Sequence, residues 1–171
     1  AAQPLVLTSY TDPIETISSN VMGTANILEA MKTLNNKCTA IIITSDKAYD
    51  NVEQVLGYKE DDKLGGKDIY SGSKGAAELI IKSYYHSFLK NKNSNLKLAI
   101  GRAGNVIGGG DWAKDRIVVD CMKAWSEDKI AEIRTPKATR PWQHVLEPLS
   151  GYLNLGAELS INDDLHGEAF N

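Results

Sequence analysis

Two short runs of apolar, β-branched residues stand out along the chain, and a polar turn follows each of them. Residues 39–44 (TAIIIT) and 96–101 (LKLAIG) predict buried strands of a parallel sheet, whose two faces are both covered. Elsewhere apolar residues recur at helical spacing, which predicts amphipathic helices. These helical stretches are residues 12–35, 70–90, 117–125 and 147–159.

The start of the first helix carries a clear local signal. Asp12 can cap the helix, Pro13 suits its first turn, and Glu15 can complete a capping box. The helix over 70–90 has an apolar face wider than contact with one sheet requires. We expect the surplus to be covered either by a second copy of the chain or by this domain itself, and the pattern does not separate the two.

Shorter elements complete the pattern. Residues 132–134 and 142–145 predict two brief strands, and another strand begins at Phe170 and Asn171. The stretches 50–68 and 102–110 are rich in polar residues and glycine, and they predict loops.

The alternation of strands and helices places the chain in the α/β class with a doubly wound, mostly parallel sheet. Neither G-x-G-x-x-G nor G-x-x-G-x-x-G occurs in the sequence, although a Rossmann sheet carries such a turn after its first strand. We therefore expect a partial Rossmann-like domain that lacks the amino-terminal, glycine-rich half. Residues 1–104 are predicted to be its carboxyl-side part, and 105–171 a substrate-binding region mixed with returning Rossmann elements.

Composition and charge argue against several classes of function. The 171 residues carry a net charge of −3, which gives no basic footprint for nucleic acid. No apolar run reaches the length that spans a membrane, and no signal peptide opens the chain, so we expect a cytoplasmic protein. Cys38 and Cys121 match no metal or disulfide spacing and are predicted to be reduced thiols, and no metal site is predicted.

Residues that could take part in catalysis occur in two segments of the sequence. Tyr70 and Lys74 are four residues apart, so a helix puts them on one face, one turn apart. An ammonium beside a phenol favours the phenolate and lowers the tyrosine pKa, which makes the tyrosine a candidate base for a substrate alcohol. Ser45, Asp46 and Lys47 follow the first predicted strand, at the edge where α/β sheets bind ligands.

Several segments resemble one family. They are AAQPLV (1–6), NVMGTANILEAM (20–31), TSDKAYDN (44–51), YSGSKGAAELI (70–80), GRAGNVIGGGDWAKDRIVVD (101–120) and RPWQHVLEPLSGYL (140–153). The chain resembles the extended short-chain dehydrogenases that act on nucleotide sugars, and among them the 4,6-dehydratases. The resemblance implies NAD as the cofactor and CDP-glucose as the substrate. It also implies that part of the family's carboxyl-terminal region is missing, together with the amino-terminal half-sheet.

The catalytic roles follow from that resemblance. Tyr70 would be the base on the sugar 4-hydroxyl, and Lys74 would hold the nicotinamide ribose. Ser45 would hydrogen-bond the 4-oxygen, and Asp46 would protonate the departing 6-hydroxyl. Lys47 stands where relatives carry a glutamate and would remove the C5 proton, which requires a depressed lysine pKa.

The resemblance also implies binding residues. The residues expected to contact the cofactor are Ala1, Ala2, Gln3, Thr44, Tyr70, Lys74, Arg102, Ala103 and Gly104. The residues expected to contact the substrate are Ser45, Asn105, Arg116 and Arg140. The guanidinium groups of Arg116 and Arg140 suit the oxygens of a diphosphate. Asn20 is expected to pack behind the cofactor site.

Two other readings remain open from the sequence. A sugar-nucleotide epimerase of the same superfamily would use Tyr70 and Lys74 and would need no base at C5. A catalytically inactive chain could instead serve as a binding or dimerisation module through its two long helices. Because the glycine-rich turn is absent, we expect the 171-residue chain alone to bind NAD poorly and to turn over little substrate.

Overall fold

The computed structural model describes residues 2–91 and 94–171. The strands are β1 (Cys38–Ser45), β2 (Leu96–Ala103), β3 (Asn105–Ile107), β4 (Trp142–His144) and β5 (Ala169–Phe170). The α-helices are α1 (Val6–Thr11), α2 (Pro13–Ile17), α3 (Gly23–Lys32), α4 (Ile69–Tyr84), α5 (Ile117–Ser126) and α6 (Leu146–Ile161). Strands and helices alternate, as the sequence predicts.

The larger sheet is parallel, with the strand order β1-β2-β5. Strands β1 and β2 pair along their whole length, from Cys38 opposite Leu96 to Ser45 opposite Ala103. Their carboxyl ends are therefore level, and the two polar segments that follow them start from the same edge of the sheet. Ligand sites of open parallel sheets lie at that edge.

Helices cover both faces of this sheet, which confirms the predicted α/β, doubly wound class. On one face, α3 and α4 pack onto β2 through a cluster of buried side chains: Leu28, Ile81, Leu89, Leu96, Leu98 and Ile100. On the other face lies α6. There the Tyr152 ring lies directly over Gly101, where an added Cβ would come within 2.6 Å of the ring.

A second, two-stranded sheet joins β3 to β4, with Asn105 opposite Trp142 and Ile107 opposite His144. Strand β4 agrees with the predicted strand at 142–145. The assignment of 102–110 to a loop is wrong over Asn105–Ile107, because that stretch obtains its hydrogen bonds from a partner far along the chain. The predicted strand at Glu132–Arg134 is also wrong, since these residues are irregular.

The first predicted helix consists of several pieces. Asp12 caps α2 as expected, and its side chain accepts a hydrogen bond from Glu15 N at 3.1 Å. The capping box does not close, because the Glu15 carboxylate accepts from Ser19 instead, at 2.8 Å. A π-helical turn at Ser18–Met22 then leads into α3, and a similar turn at Tyr85–Leu89 ends the helix begun by α4.

Candidate active site

Tyr70 and Lys74 lie in the first two turns of α4. Asp68 caps this helix, because its carboxylate accepts from Ser71 N at 3.0 Å and from Ser71 Oγ at 2.8 Å. Both side chains are nearly buried, with 9% of Tyr70 and 8% of Lys74 exposed. Lys74 Nζ lies 5.7 Å from the centroid of the Tyr70 ring, so the two residues share one helical face as predicted.

The electrostatics of this pair differ from the expectation. Burial raises the pKa of the Tyr70 phenol above its ordinary value, while the charge of Arg116 lowers that pKa and the charge of Asp46 raises it. Burial also lowers the pKa of the Lys74 ammonium. The expected lowering of the Tyr70 pKa is wrong for this structure, because burial has the largest effect on the phenol and raises its pKa.

Ser45, Asp46 and Lys47 leave the end of β1 in a single 3₁₀ turn. The Ser45 hydroxyl accepts from Lys47 N at 3.3 Å and donates to Asp46 Oδ1 at 3.1 Å. Lys47 Nζ lies 3.5 Å from Asp46 Oδ2, and both side chains remain partly exposed. The turn therefore presents a hydroxyl, a carboxylate and an ammonium within one short segment.

These two segments open onto one cleft of about 690 Å³. Its walls combine the end of β1, the start of α4, the segment after β2 and the stretch that leads into α5. The predicted site residues that line it are Ser45, Asp46, Lys47, Tyr70, Gly104, Asn105, Arg116 and Arg140. The structure thus brings together most of the residues that the sequence singled out for catalysis and substrate binding.

Three arginines line the cleft, together with several carboxylates. Arg116 Nε lies 3.2 Å from Asp111 Oδ2, and Arg140 donates to the carbonyl of its neighbour Thr139 at 2.6 Å. Arg134, which the sequence placed in a strand, also lines the cleft and pairs with Asp115 at 3.0 Å. Isolated arginines in irregular segments carry no periodic signal, so nothing in the sequence marked Arg134.

The predicted cofactor loop is tied to the helix that carries Tyr70. Gln3 N donates to Asn20 Oδ1 at 2.8 Å, and Asn20 Nδ2 donates to Ser73 Oγ at 2.9 Å. The Ser73 hydroxyl in turn donates to the Tyr70 carbonyl at 2.7 Å. Asn20 therefore has the structural position expected of it. Ala2 is exposed, and Ala1 lies outside the described residues.

Thr44 and Arg102 point away from the cleft. The Thr44 hydroxyl donates to Glu78 at 2.6 Å, and the Arg102 guanidinium forms a buried ion pair with the same carboxylate. Sequence reasoning missed Glu78, although an acidic residue within the apolar run of α4 could have indicated a buried ion pair. The polypeptide from Arg102 to Gly104 still leads to the cleft, which Gly104 lines.

The described residues also bear on metal binding and membrane insertion. Among residues 2–91 and 94–171, no group of three or more His, Cys, Asp or Glu side chains is placed to hold a metal ion. No helix within these residues has both the length and the apolar character needed to cross a bilayer. Cys38 and Cys121 are both free and partly buried.

Comparison with known proteins gives a consistent family. A model of the GDP-mannose 4,6-dehydratase family matches residues 1–154. CDP-glucose 4,6-dehydratase from Salmonella typhimurium is 49% identical over 174 aligned residues, which cover 100% of this chain and 48% of that protein. CDP-paratose 2-epimerase from Salmonella typhi is 27% identical and is covered to 55% by the whole chain. The chain spans about half the length of these curated relatives.

Solved structures share the fold. A dTDP-glucose 4,6-dehydratase from Streptomyces venezuelae, with NAD bound, superposes with a TM-score of 0.79 at 18% identity. The match covers 99% of this chain and 49% of that one. A UDP-glucuronic acid 4-epimerase from Bacillus cereus, in complex with UDP-glucuronic acid and NAD, gives 0.81 at 24% identity, covering 100% and 51%. At these identities the likeness establishes the fold.

Proposed function

The chain belongs to the GDP-mannose 4,6-dehydratase family, and we propose that it carries the catalytic residues of an NAD-dependent dehydratase that converts CDP-glucose into CDP-4-keto-6-deoxyglucose and water. The observation that carries the proposal is the convergence of Tyr70 and Ser45–Lys47 on one cleft lined by Arg116. The 49% identity to a CDP-glucose 4,6-dehydratase supports this choice of substrate.

The residues present fit the cofactor. Lys74 is 8% exposed, and its ammonium is not a buried unsatisfied donor among the described residues, so its three N–H groups are available to the hydroxyls of a ribose. The backbone of Gln3 is held close to α4 through Asn20 and can form one edge of a nicotinamide pocket. When bound, NAD supplies a hydride acceptor for C4 and returns the hydride at C6.

Tyr70 starts the reaction by removing the proton of the sugar 4-hydroxyl. Its hydroxyl belongs to a side chain that lines the cleft, while its backbone is fixed by the Ser73 hydrogen bond. Loss of the C4 hydrogen as hydride then leaves a ketone. Ser45, which also lines the cleft, donates a hydrogen bond to the developing 4-oxygen and so fixes the ring orientation.

Lys47 and Asp46 carry out the elimination. The 4-ketone acidifies the C5 hydrogen, so that a side-chain amine can remove it. The elimination uses Lys47 as an amine and Asp46 as a carboxylic acid, and the two groups lie side by side, with 3.5 Å between Lys47 Nζ and Asp46 Oδ2. Lys47 takes the C5 proton, and Asp46 gives its proton to the 6-hydroxyl, which leaves as water. Once C6 has regained the hydride, Lys47 gives a proton back to C5, and the proton that Tyr70 took from the 4-hydroxyl balances, through solvent, the one that Asp46 lost.

We assign the diphosphate to Arg116, Arg140 and Asn105, which all line the cleft. Arg116 is paired with the single carboxylate of Asp111, and a diphosphate brings more negative charge and a matching fork of oxygens. Arg140 is exposed apart from its bond to Thr139, and Asn105 adds an amide to the same wall. These groups hold the nucleotide while the sugar lies between Tyr70 and Lys47.

The assembly proposed is a homodimer formed through α3 and α4. Their outer surfaces expose large apolar side chains, including Ile27 (58%) and Leu79 (55%), and Phe88 (52%) in the π-helical turn after α4 extends this surface. Burying such a face against its symmetric copy is a common way to build a two-fold interface. A cytoplasmic location and a role in O-antigen synthesis fit an enzyme that modifies a nucleotide sugar, and these belong to the same proposal.

The test uses the gene product at the length at which the cell makes it. Incubation with CDP-glucose and NAD⁺ in D₂O should yield a 4-keto-6-deoxy product that carries solvent deuterium at C5. A product with an inverted centre and an intact 6-hydroxyl would identify an epimerase instead. Absence of any conversion, in a protein that binds nucleotide normally, would reject both enzymatic assignments. A nucleotide-free dimer in light scattering would then favour a dimerisation module.

A further inference from the structure

A buried ion pair crosses the interior beneath the cleft. Glu78 on α4 is completely buried and Arg102 at the end of β2 is 4% exposed. Arg102 Nε donates to both carboxylate oxygens, at 2.9 and 3.1 Å, and its Nη2 forms a further short bond to Oε2. The ion pair is bidentate and buried, so a ligand cannot reach it. Its role must therefore lie in how it joins α4 to β2.

The network around this pair is fully hydrogen-bonded. The Thr44 hydroxyl donates to Glu78 Oε1 at 2.6 Å, and Arg102 Nη1 donates to the Tyr49 hydroxyl at 2.6 Å and to the Glu60 carbonyl at 3.1 Å. The Arg102 guanidinium also lies 4.8 Å from the Tyr49 ring centroid. Among the described residues, no buried side-chain nitrogen or oxygen lacks a hydrogen-bond partner. Such satisfied networks hold their members in one arrangement.

Each member of this network stands next to a segment of the candidate active site. Glu78 follows Lys74 by one helical turn and Tyr70 by two, on the same side of α4. Thr44 immediately precedes Ser45, and Tyr49 immediately follows the 3₁₀ turn of Asp46–Ala48. Arg102 pairs with Thr44 across the sheet and leads into the segment that reaches the cleft at Gly104.

Stability alone is a weak reason for such a pair. Removing two charges from water costs free energy that their attraction in the interior barely repays, so well-packed apolar residues of similar volume often stabilise a fold as well or better. What an apolar pair would not reproduce is directional attachment of α4 to the end of β1 and the end of β2. The distance between Tyr70 and the Ser45–Lys47 turn depends on that attachment.

We propose that Glu78 and Arg102 form a positioning pair that sets the separation and orientation of Tyr70 and Lys74 relative to Ser45, Asp46 and Lys47. This inference rests on the proposed dehydratase function. Neither residue touches the substrate, so the pair acts on the geometry of the reacting groups rather than on binding. A displacement of about 1 Å at reacting groups can lower a rate about 100-fold.

The main variant is the double substitution Glu78→Leu with Arg102→Met in the gene product at its natural length, which replaces both charges by apolar side chains. We expect its denaturant midpoint to stay near that of the wild type and its KM for CDP-glucose to change by less than about threefold, while kcat falls by roughly 30- to 100-fold. The matched control, Glu127→Ala with Lys129→Ala, removes an exposed ion pair and should change neither constant.

A milder variant keeps the test decisive if the double variant does not fold. Tyr49→Phe retains the ring that stacks on Tyr58 at 5.0 Å and removes the hydroxyl, which accepts from Arg102 Nη1 at 2.6 Å and donates to Asn171 Oδ1 at 2.7 Å. We expect kcat to fall about three- to tenfold with KM unchanged. A folded double variant, or a Tyr49→Phe protein, with kcat equal to the wild type overturns the inference and leaves the proposed function intact. A wild-type protein that yields no 4-keto product overturns both.

Discussion

Replacing Tyr70 by phenylalanine removes one oxygen from the wall of the cleft and leaves the aromatic ring in place. The ring is almost fully buried, and its backbone carbonyl keeps the hydrogen bond from Ser73. The fold should therefore tolerate the change, with a loss of unfolding free energy of no more than about 1 kcal/mol. The substrate contacts proposed at Asn105, Arg116 and Arg140 are untouched, so KM should stay close to that of the wild type.

The catalytic effect should be much larger than the structural one. A positioned general base contributes about 10²- to 10⁴-fold to a rate, so kcat of Tyr70→Phe should fall by that factor, equivalent to about 2.7–5.5 kcal/mol of barrier. The pH profile provides a second test. Burial raises the pKa of Tyr70 above its ordinary value, so ionisation of the phenol limits the rate at the acidic end of the profile.

The assay measures kcat and kcat/KM for CDP-glucose between pH 6.5 and 10 in both proteins. Because the phenolate is the active form and burial disfavours it, wild-type kcat/KM should rise about tenfold per pH unit at the acidic end. The residual activity of Tyr70→Phe should lack this rise. A variant with kcat near the wild-type value, or one whose lower rate keeps the same pH slope, would show that Tyr70 is not the base.

Three further changes test other parts of the site and fold. Lys47→Gln should abolish exchange of deuterium into C5, as followed by NMR, while removal of hydride from C4 persists as NADH absorbance; undiminished exchange would exclude Lys47 as the base. Arg116→Gln should raise KM about tenfold or more and leave kcat within about threefold, because it removes a diphosphate ligand, and an unchanged KM in steady-state kinetics would contradict this. Leu98→Ala should lower the free energy of unfolding by about 2–5 kcal/mol in urea titrations because Leu98 is fully buried in the core cluster; a loss below 1 kcal/mol would mean that the cluster repacks.

The elements with a periodic signal could be predicted from the sequence. Strands β1 and β2 and helix α6 lie within two residues of the stretches that their apolar patterns defined, and so does α4 once its π-helical continuation to Leu89 is included. Their burial depends on neighbours in the sheet that any doubly wound fold supplies, so local pattern and tertiary structure agree.

Elements stabilised by distant partners could not be predicted in this way. Strand β3 is too short for a period and exists because β4, far along the chain, pairs with it. Glu132–Arg134 has an alternating pattern but no neighbouring strand among the described residues, so it stays irregular. Helix α1 ends just before the cap of α2, where the sequence offered only one helix start.

The same distinction applies to the site. The spacing of Tyr70 and Lys74 follows from helix geometry, and the position of Ser45–Lys47 follows from the edge of a parallel sheet. The direction of the Tyr70 pKa shift could not be read from this spacing, because it depends on burial and on where Arg116 and Asp46 come to lie. Whether Arg102 points into the cleft or towards Glu78 is likewise decided only by packing.

The short parallel pairing of β3 with β4 has a consequence for how this protein can change. It fixes both ends of the excursion of roughly 35 residues between them, which carries α5 and much of the cleft wall. Insertions or exchanges inside that excursion would change the lining of the cleft while the paired strands keep its two ends in place. We therefore expect this stretch, rather than the sheet and helix that hold Tyr70, to tolerate variation in length and sequence.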